Sequence, residues 1–484
     1  MTESGLFTDF YELTMAQGYW KKGMNENAVF DMFFRKHPFN GGFSVFAGLE
    51  SLLDSLETFS FTDEDIDFLK KLNIFDQGFL DYLKCWKFKG DIYSFEEGSL
   101  IFPQEPVIRI HSSLIDALLI EGLVLNTINF QSLIATKTAR IYLASHKGHI
   151  MEFGLRRAQG KDGALSASRA SFIGGAESTS NALAGKKYGI PLSGTMSHSW
   201  VMSFPSEEEA FEAYAEIYPE NPVFLIDTYD TLKSGIKNAI KTGKKLAEKG
   251  HNFGVRLDSG DIAYLSEEVR KELDNAGLKK AFIAVSNELT EEIIENLVQE
   301  KAPVDFFGVG TNLVTGGNES SFSGVIKMSA KFDSKEKKMI SVMKFSENPA
   351  KTNNPGIKNV YRIYDKKGMA CADILALEEE ILEERKEYTY HHPMTDYRQF
   401  KLSGAKIENM LKKKIENGKR TEVSKNNFEG LKESRERMLK ELENFDPSYK
   451  RILNPHVYKV SVTEELKKLK LSLIESRLKD SNFI

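Results

Sequence analysis

Cysteine is nearly absent: Cys85 and Cys371 are the whole complement of a 484-residue chain. Two thiols so far apart supply neither a disulfide framework nor the paired spacing of a metal site, which fits a reducing, cytoplasmic setting. Long apolar runs are also missing. No stretch of about 18 apolar residues stands out, so no membrane span is expected. The start Met1-Thr-Glu-Ser-Gly-Leu-Phe lacks the basic and then apolar pattern of an export signal. An excess of one charge is lacking too. Lys and Arg number 65 against 70 Asp and Glu, a formal net charge of -5. No general attraction to nucleic acid follows, and any anion site must be local.

What is present is ordinary globular material, 41% hydrophobic, 11% aromatic and 28% charged with both signs mixed. The length exceeds what one core usually serves, so two or more units are expected. Thr8 to Gly18 reads as a helix capped by Thr8 or Asp9. Ala28–Lys36 and Phe43–Ala47 are rich in strand formers around a Pro38–Gly42 turn, which predicts a hairpin. A helix follows Gly48, two short helices occupy 62–86, three short strands lie between Gly90 and His111, and one or two long helices fill 113–147.

From residue 148 short apolar strands alternate with helices, the pattern of a parallel sheet built from βα units. The expected strands begin at Ile150, Ala170, Leu192, Val223, Asn252, Ala281 and Val304. Polar residues gather just after several of them, which favours a barrel with its chemistry at the strand C-termini over an open sheet. Strand-like pieces return after 321, and the Lys-, Glu- and Arg-dense segment 405–445 reads as solvated helix.

Five clusters at strand ends carry candidate chemistry. Glu152-Phe-Gly-Leu-Arg-Arg-Ala offers guanidinium forks for anions and an aromatic face for a flat ring. Gly174-Gly-Ala-Glu-Ser-Thr-Ser-Asn181 resembles a cradle of outward backbone N–H groups, although such turns are also common loop chemistry. Gly194-Thr-Met-Ser-His-Ser places His198 where βα enzymes work, and a neutral imidazole is a competent nucleophile; an isolated histidine is otherwise usually structural. Val255-Arg-Leu-Asp-Ser-Gly-Asp pairs Arg256, able to hold a carboxylate, with Asp258, suited to magnesium. Ser286-Asn287 and Phe307-Gly-Val-Gly-Thr-Asn312 close the last two strands with glycines that permit backbone approach to phosphate. Together they imply a substrate with several phosphates and a flat partner.

The motifs Thr8-Asp-Phe-Tyr-Glu-Leu-Thr-Met-Ala, Glu152-Phe-Gly-Leu-Arg-Arg-Ala, Gly194-Thr-Met-Ser-His-Ser and Val255-Arg-Leu-Asp-Ser-Gly-Asp closely resemble nicotinate phosphoribosyltransferase, a type II phosphoribosyltransferase. The resemblance implies an irregular TIM-like α/β barrel (1–25 and 131–321), a β-rich second domain (26–130 and 322–400) and a charged, mainly helical extension (401–484). It also implies a homodimer with shared active sites, magnesium, and ATP as co-substrate beside nicotinate and phosphoribosyl pyrophosphate.

By motif position Tyr11, from the neighbouring subunit, and Phe153 would sandwich the pyridine ring. Arg256 would face its carboxylate, and Leu155 and Gly194 would line the site. Arg156, Ser286, Asn287, Gly308, Gly310 and Thr311 would hold phosphoribosyl phosphates, Asp258 would sit near magnesium, and His198 would carry phosphate from ATP. Glu177 departs from the pattern, because an acid in the ring pocket would repel nicotinate. Nicotinamide phosphoribosyltransferase and a non-catalytic phosphate-binding scaffold are the alternatives. Quinolinate phosphoribosyltransferase resembles a shorter chain without the His198 motif.

Overall fold

The computed structural model describes residues 3–346, 351–395 and 397–480. The chain forms two compact units, Met1–Leu133 with Ser321–Ile484, and Ile134–Ser320. This grouping differs from the expected one at both ends. Residues 1–25 belong to the first unit, because the helix Phe10–Lys22 buries Leu13 and Ala16 in its apolar cluster. Residues 401–484 are not a separate extension, since their strands continue the same unit's sheets.

The first unit is β-rich. Seven strands pair antiparallel in the order Lys338–Ser341, Gly324–Asp333, Asn27–Phe34, Ile108–Ser113, Asp91–Ser94, Lys412–Glu416 and Lys419–Arg420. A second sheet of six strands runs Gln399–Ser403, Glu387–His391, Val460–Val462, Ala370–Leu377, Lys358–Tyr364 and Lys406–Asn409. The expected 28–48 hairpin does not form. Asn27–Phe34 lies between strands far away in sequence, whereas Ser44–Val45 pairs with Leu100–Ile101. Between them Phe39 and Asn40 take left-handed φ values of 58° and 48°, so the chain turns out of the sheet instead of folding back along it.

The charged stretch after 405 also departs from the expected helix. Lys406–Asn409, Lys412–Glu416 and Lys419–Arg420 are strands, with Ile415 buried opposite Ile92, and the buried Met410 and Leu411 link the first two. α-Helices appear at Phe428–Asn444 and Glu464–Asp480, with a short 3-10 turn at Pro447–Lys450. One long helix, Leu114–Ala144, begins in the first unit and ends in the second. Contrary to the sequence reading, it is long and apolar enough to cross a membrane by length and composition alone. Most of its apolar stretch is buried, with Leu119, Ile120, Val124 and Ile128 in the first unit's apolar cluster, as in a core helix.

The second unit is α/β. Its sheet contains six parallel strands in the order Ser178–Thr179, His149–Glu152, Phe306–Val309, Phe282–Val285, Gly254–Leu257 and Val223–Leu225. The two outermost strands do not pair with each other, so the hydrogen-bonded ring is open rather than closed. Two expected strands are absent. Ala170–Ile173 is the last turn of the helix Gly160–Ile173, whose buried face carries small residues Ala164, Ala167 and Ser171. Leu192 makes only a single bridge to Thr179. Because every strand points the same way, six C-terminal ends share one edge of the sheet, and the candidate residues lie there.

Candidate active site

A cavity of about 350 Å³ opens at that edge, lined entirely by residues of the second unit. Phe153, Arg156, Gly194, His198, Arg256 and Asp258 all face it, as do Ser286, Asn287, Gly308, Gly310 and Thr311. Two expected members are placed otherwise. Leu155, half-exposed in the one-turn helix Leu155–Arg157, is not part of the lining. Tyr11 lies in the first unit, on the helix Phe10–Lys22, with its side chain exposed. Burial of its hydroxyl, then Glu121 and Glu12, pushes its pKa up to about 12. A larger cavity of about 770 Å³ in the first unit, beside Trp86, His111 and Asp116, gathers no comparable set of strand-end groups.

Arg256 is the best-anchored cation of the pocket. Its Nε donates to Ser286 Oγ at 2.8 Å, Nη1 to Thr195 Oγ1 at 2.8 Å and Nη2 to Asp258 Oδ1 at 2.9 Å. The guanidinium carbon stands 5.8 Å from the Phe153 ring centre. A guanidinium has five N–H donors, so two remain, one on each terminal nitrogen, for an incoming oxyanion. Asp258 is shared: Oδ1 also accepts from Ser286 Oγ, and Oδ2 lies 3.8 Å from His198 Nε2. The other imidazole nitrogen, Nδ1, is 3.1 Å from Thr228 Oγ1. Asp227 completes this wall by accepting from the Asp258 backbone N–H at 2.9 Å and the Ser259 hydroxyl at 2.6 Å.

The opposite wall hangs on Glu152, which is fully buried. Its carboxylate accepts from the Gly154 backbone N–H and from the hydroxyls of Ser168 and Thr179. Those donors offset the desolvation of the charge. They also tie the strand end bearing Phe153 to the helix Gly160–Ile173 and to the neighbouring strand. Thr179 continues the chain of contacts, since its carbonyl accepts from the Ser193 N–H at 3.0 Å just ahead of Gly194. Gly308 is required by the aromatic: a Cβ there would stand 2.7 Å from the Phe153 ring. Asn287 holds a φ of 96°, an uncommon conformation for a non-glycine residue and one found at binding loops.

Glu177 points elsewhere. It sits at the start of its strand, at the other end of the sheet, with Oε2 2.8 Å from Nδ1 of His149. The sequence reading gave no role to Thr195, Asp227, Thr228, Ser180 or Glu152, although all of these line the pocket or hold residues that do. Asp227-Thr228 follows the strand Val223–Leu225 by the same logic that drew attention to Asp258, so the signal was available.

Comparison with known proteins agrees along the chain. Family models described as the nicotinate phosphoribosyltransferase (NAPRTase) N-terminal domain, the NAPRTase family and the NAPRTase C-terminal domain match residues 6–129, 148–373 and 357–470. Nicotinate phosphoribosyltransferase of Bacillus subtilis is 41% identical over 391 residues, covering 80% of this chain and 79% of that protein. The human protein of the same name is 32% identical over 527 residues, covering 97% and 96%. The crystal structure of human nicotinic acid phosphoribosyltransferase superposes with a TM-score of 0.83 at 30% identity, over 96% of this chain and 99% of that one.

Proposed function

Given that the chain belongs to the nicotinate phosphoribosyltransferase family, we propose that it joins nicotinate to the ribosyl C1 of phosphoribosyl pyrophosphate in NAD salvage. The products are nicotinate mononucleotide and pyrophosphate. The observation that carries this reading is the convergence of Phe153, Arg256, Asp258, His198 and the Gly308–Gly310 segment on one cavity. In the reaction the pyridine nitrogen forms the new bond to C1 while the C1–oxygen bond breaks and pyrophosphate departs. Positive charge builds on the ribose, so rate comes chiefly from placing ring, ribose and leaving group together.

Each residue has a matching task. Phe153 offers a face to the pyridine ring, Arg256 presents its two remaining donors to the carboxylate, and Arg156 with Ser286 and Asn287 binds phosphoryl oxygens. Gly308 and Gly310 let phosphate approach the backbone, and Thr311 adds a hydroxyl. Tyr11, exposed on its helix, supplies the second aromatic face from the other subunit of a homodimer. Arg256 with two free donors and Glu177 turned away both favour the ring acid over the amide.

Magnesium fits the donor set. No group of three or more His, Cys, Asp or Glu is poised to hold a metal among the described residues. Asp258 instead offers one carboxylate at the cavity, which suits an ion that keeps its waters and binds substrate phosphates. Bound there, magnesium would supply charge neutralisation to the pyrophosphate. His198, partly exposed at the rim, accepts the γ-phosphoryl group of ATP on a ring nitrogen as ADP leaves; water later releases the phosphate. The setting is cytoplasmic.

The test is direct. Purified protein with nicotinate, phosphoribosyl pyrophosphate, ATP and Mg²⁺ should yield nicotinate mononucleotide and pyrophosphate, with ADP formed in step. Preference for nicotinamide would reverse the substrate assignment, and ligand binding without product would leave only a scaffold.

A further inference from the structure

The first unit's cavity of about 770 Å³ is of the size that small-molecule sites have, and the reaction described above makes no use of it. One wall is the segment 86–90, along which burial alternates: Trp86, Phe88 and Gly90 are buried, whereas Lys87 and Lys89 are exposed. That period of two puts both lysines on the outward face, roughly 7 Å apart along an extended chain. The segment is also fixed in place. Trp86 Nε1 donates to Asp116 Oδ1 at 2.7 Å, the Lys89 backbone N–H donates to the same carboxylate, and the Gly90 carbonyl accepts from the Gly418 N–H at 2.9 Å. A Cβ at Gly90 would stand 2.5 Å from the His111 carbonyl oxygen, so the backbone lies hard against the strand Ile108–Ser113.

Neither lysine ammonium has an ion-pair partner among the described residues. The acids of the lining are already engaged, Asp116 by the donors just named and Asp91 by Lys413 at 3.2 Å and the Asn417 backbone N–H at 2.7 Å. His111 adds no charge, because burial and then Arg109 push its pKa down to about 4. We propose that this cavity is a second binding site, in which Lys87 and Lys89 hold the phosphoryl group of a small phosphorylated molecule such as a mononucleotide. Two like charges on one fixed wall repel each other, and an anion between them offsets that repulsion while accepting a hydrogen bond from each. A phosphate monoester carries close to two negative charges and three acceptor oxygens at neutral pH, which matches two ammoniums as a single carboxylate does not. Asn27, Asn417 and the Tyr82 hydroxyl are neutral polar groups along the same lining, suited to the uncharged body of such a molecule. The site does not depend on the reaction assigned to the second unit.

Cys85 gives a local readout, since its thiol is exposed and lines this cavity, whereas Cys371 lies on the strand Ala370–Leu377 outside it. The full-length protein is alkylated with iodoacetamide, and the rate at each cysteine is followed by peptide mass spectrometry with AMP, adenosine, inorganic phosphate or no addition. AMP should slow Cys85 in a saturable way and leave Cys371 unchanged, and adenosine should protect neither. Inorganic phosphate protecting at the same concentration as AMP supports the phosphoryl site and makes free phosphate its occupant; protection only at higher concentration supports it with a phosphate ester as the occupant. In Lys87→Gln/Lys89→Gln the AMP concentration for half protection should rise about 10-fold or more, the scale of one charge-assisted hydrogen bond. Nicotinate turnover in that variant should stay at the wild-type rate. No protection by AMP overturns the proposal, and so does equal protection by adenosine. Protection undiminished in the double variant overturns it too, because AMP is then acting from another place. Should the double variant not fold, Lys87→Gln and Lys89→Gln singly decide the same question, each raising the half-protection concentration.

Discussion

Replacing Arg256 with alanine gives the sharpest forecast for the pocket. The side chain is mostly buried, 15% exposed, and three of its five donors are taken by Ser286, Thr195 and Asp258. The loss to catalysis is that of the two donors left for nicotinate, a charged pair worth about 2–4 kcal/mol, or roughly 30- to 1000-fold in kcat/KM. The true figure should fall toward the upper end, because the same change strips Asp258 of its cation and turns its charge on the incoming carboxylate. Stability should fall as well, by about 1–3 kcal/mol, because the change leaves Asp258 without its mostly buried donor. Steady-state kinetics with nicotinate, alongside a thermal melt, separates the two effects. A kcat/KM within threefold of wild type would falsify the carboxylate role, and an equal loss with nicotinamide would show that Arg256 serves the phosphoribosyl end instead.

Other consequences reach beyond the carboxylate contact. His198→Ala should leave slow nicotinate transfer while ATP no longer stimulates it, read from the ratio of ADP to nicotinate mononucleotide; retained stimulation removes the phosphoryl-acceptor role. Arg362 is fully buried between Asp373 and Glu441, so Arg362→Met strands two buried carboxylates and should cost about 3–5 kcal/mol in urea unfolding. A loss under 1 kcal/mol would contradict it. Burial, and then Glu12, pushes the Glu121 pKa up to about 7 from 4.5. The folded chain thus binds a proton more tightly than the unfolded one, and this group's contribution falls as pH rises from 4.5 to 7. Glu121→Gln should therefore stabilise the protein by on the order of 1–3 kcal/mol at pH 8, with no gain at pH 4, seen as pH-dependent melting temperatures. A gain of the same size at both pH values would point to packing rather than titration.

Much of the site could be read from the chain because parallel strands make local sequence and spatial position coincide. A residue just after an apolar strand is at the shared edge, and Phe153, Asp258, Asn287 and Gly310 all satisfy that rule. What escaped were residues whose role depends on another element. Thr195 matters because Arg256 reaches it across 61 positions, and Thr228 because His198 lies 30 positions away. Periodicity also failed on short apolar runs, which helix and strand share. Ala170–Ile173 ends a helix, and the charges around Ile407 and Ile415 mark the outer face of strands rather than a solvated helix. The 28–48 segment misled because hairpins are local and its true partners, Ile108–Ser113 and Gly324–Asp333, are not.

Three neutral donors converging on the interior acid Glu152 have an outcome for variation at this site. Changes at Ser168 and Thr179 cannot behave as separate events, because each alters the hydrogen-bond partners left to the other. The double variant Ser168→Ala/Thr179→Val should depart measurably from the sum of its parts. Substrate range is thus easier to retune at the rim, where side chains have fewer partners, than at this knot, where one replacement disturbs the aromatic face, the paired arginines and the approach to Gly194 at once.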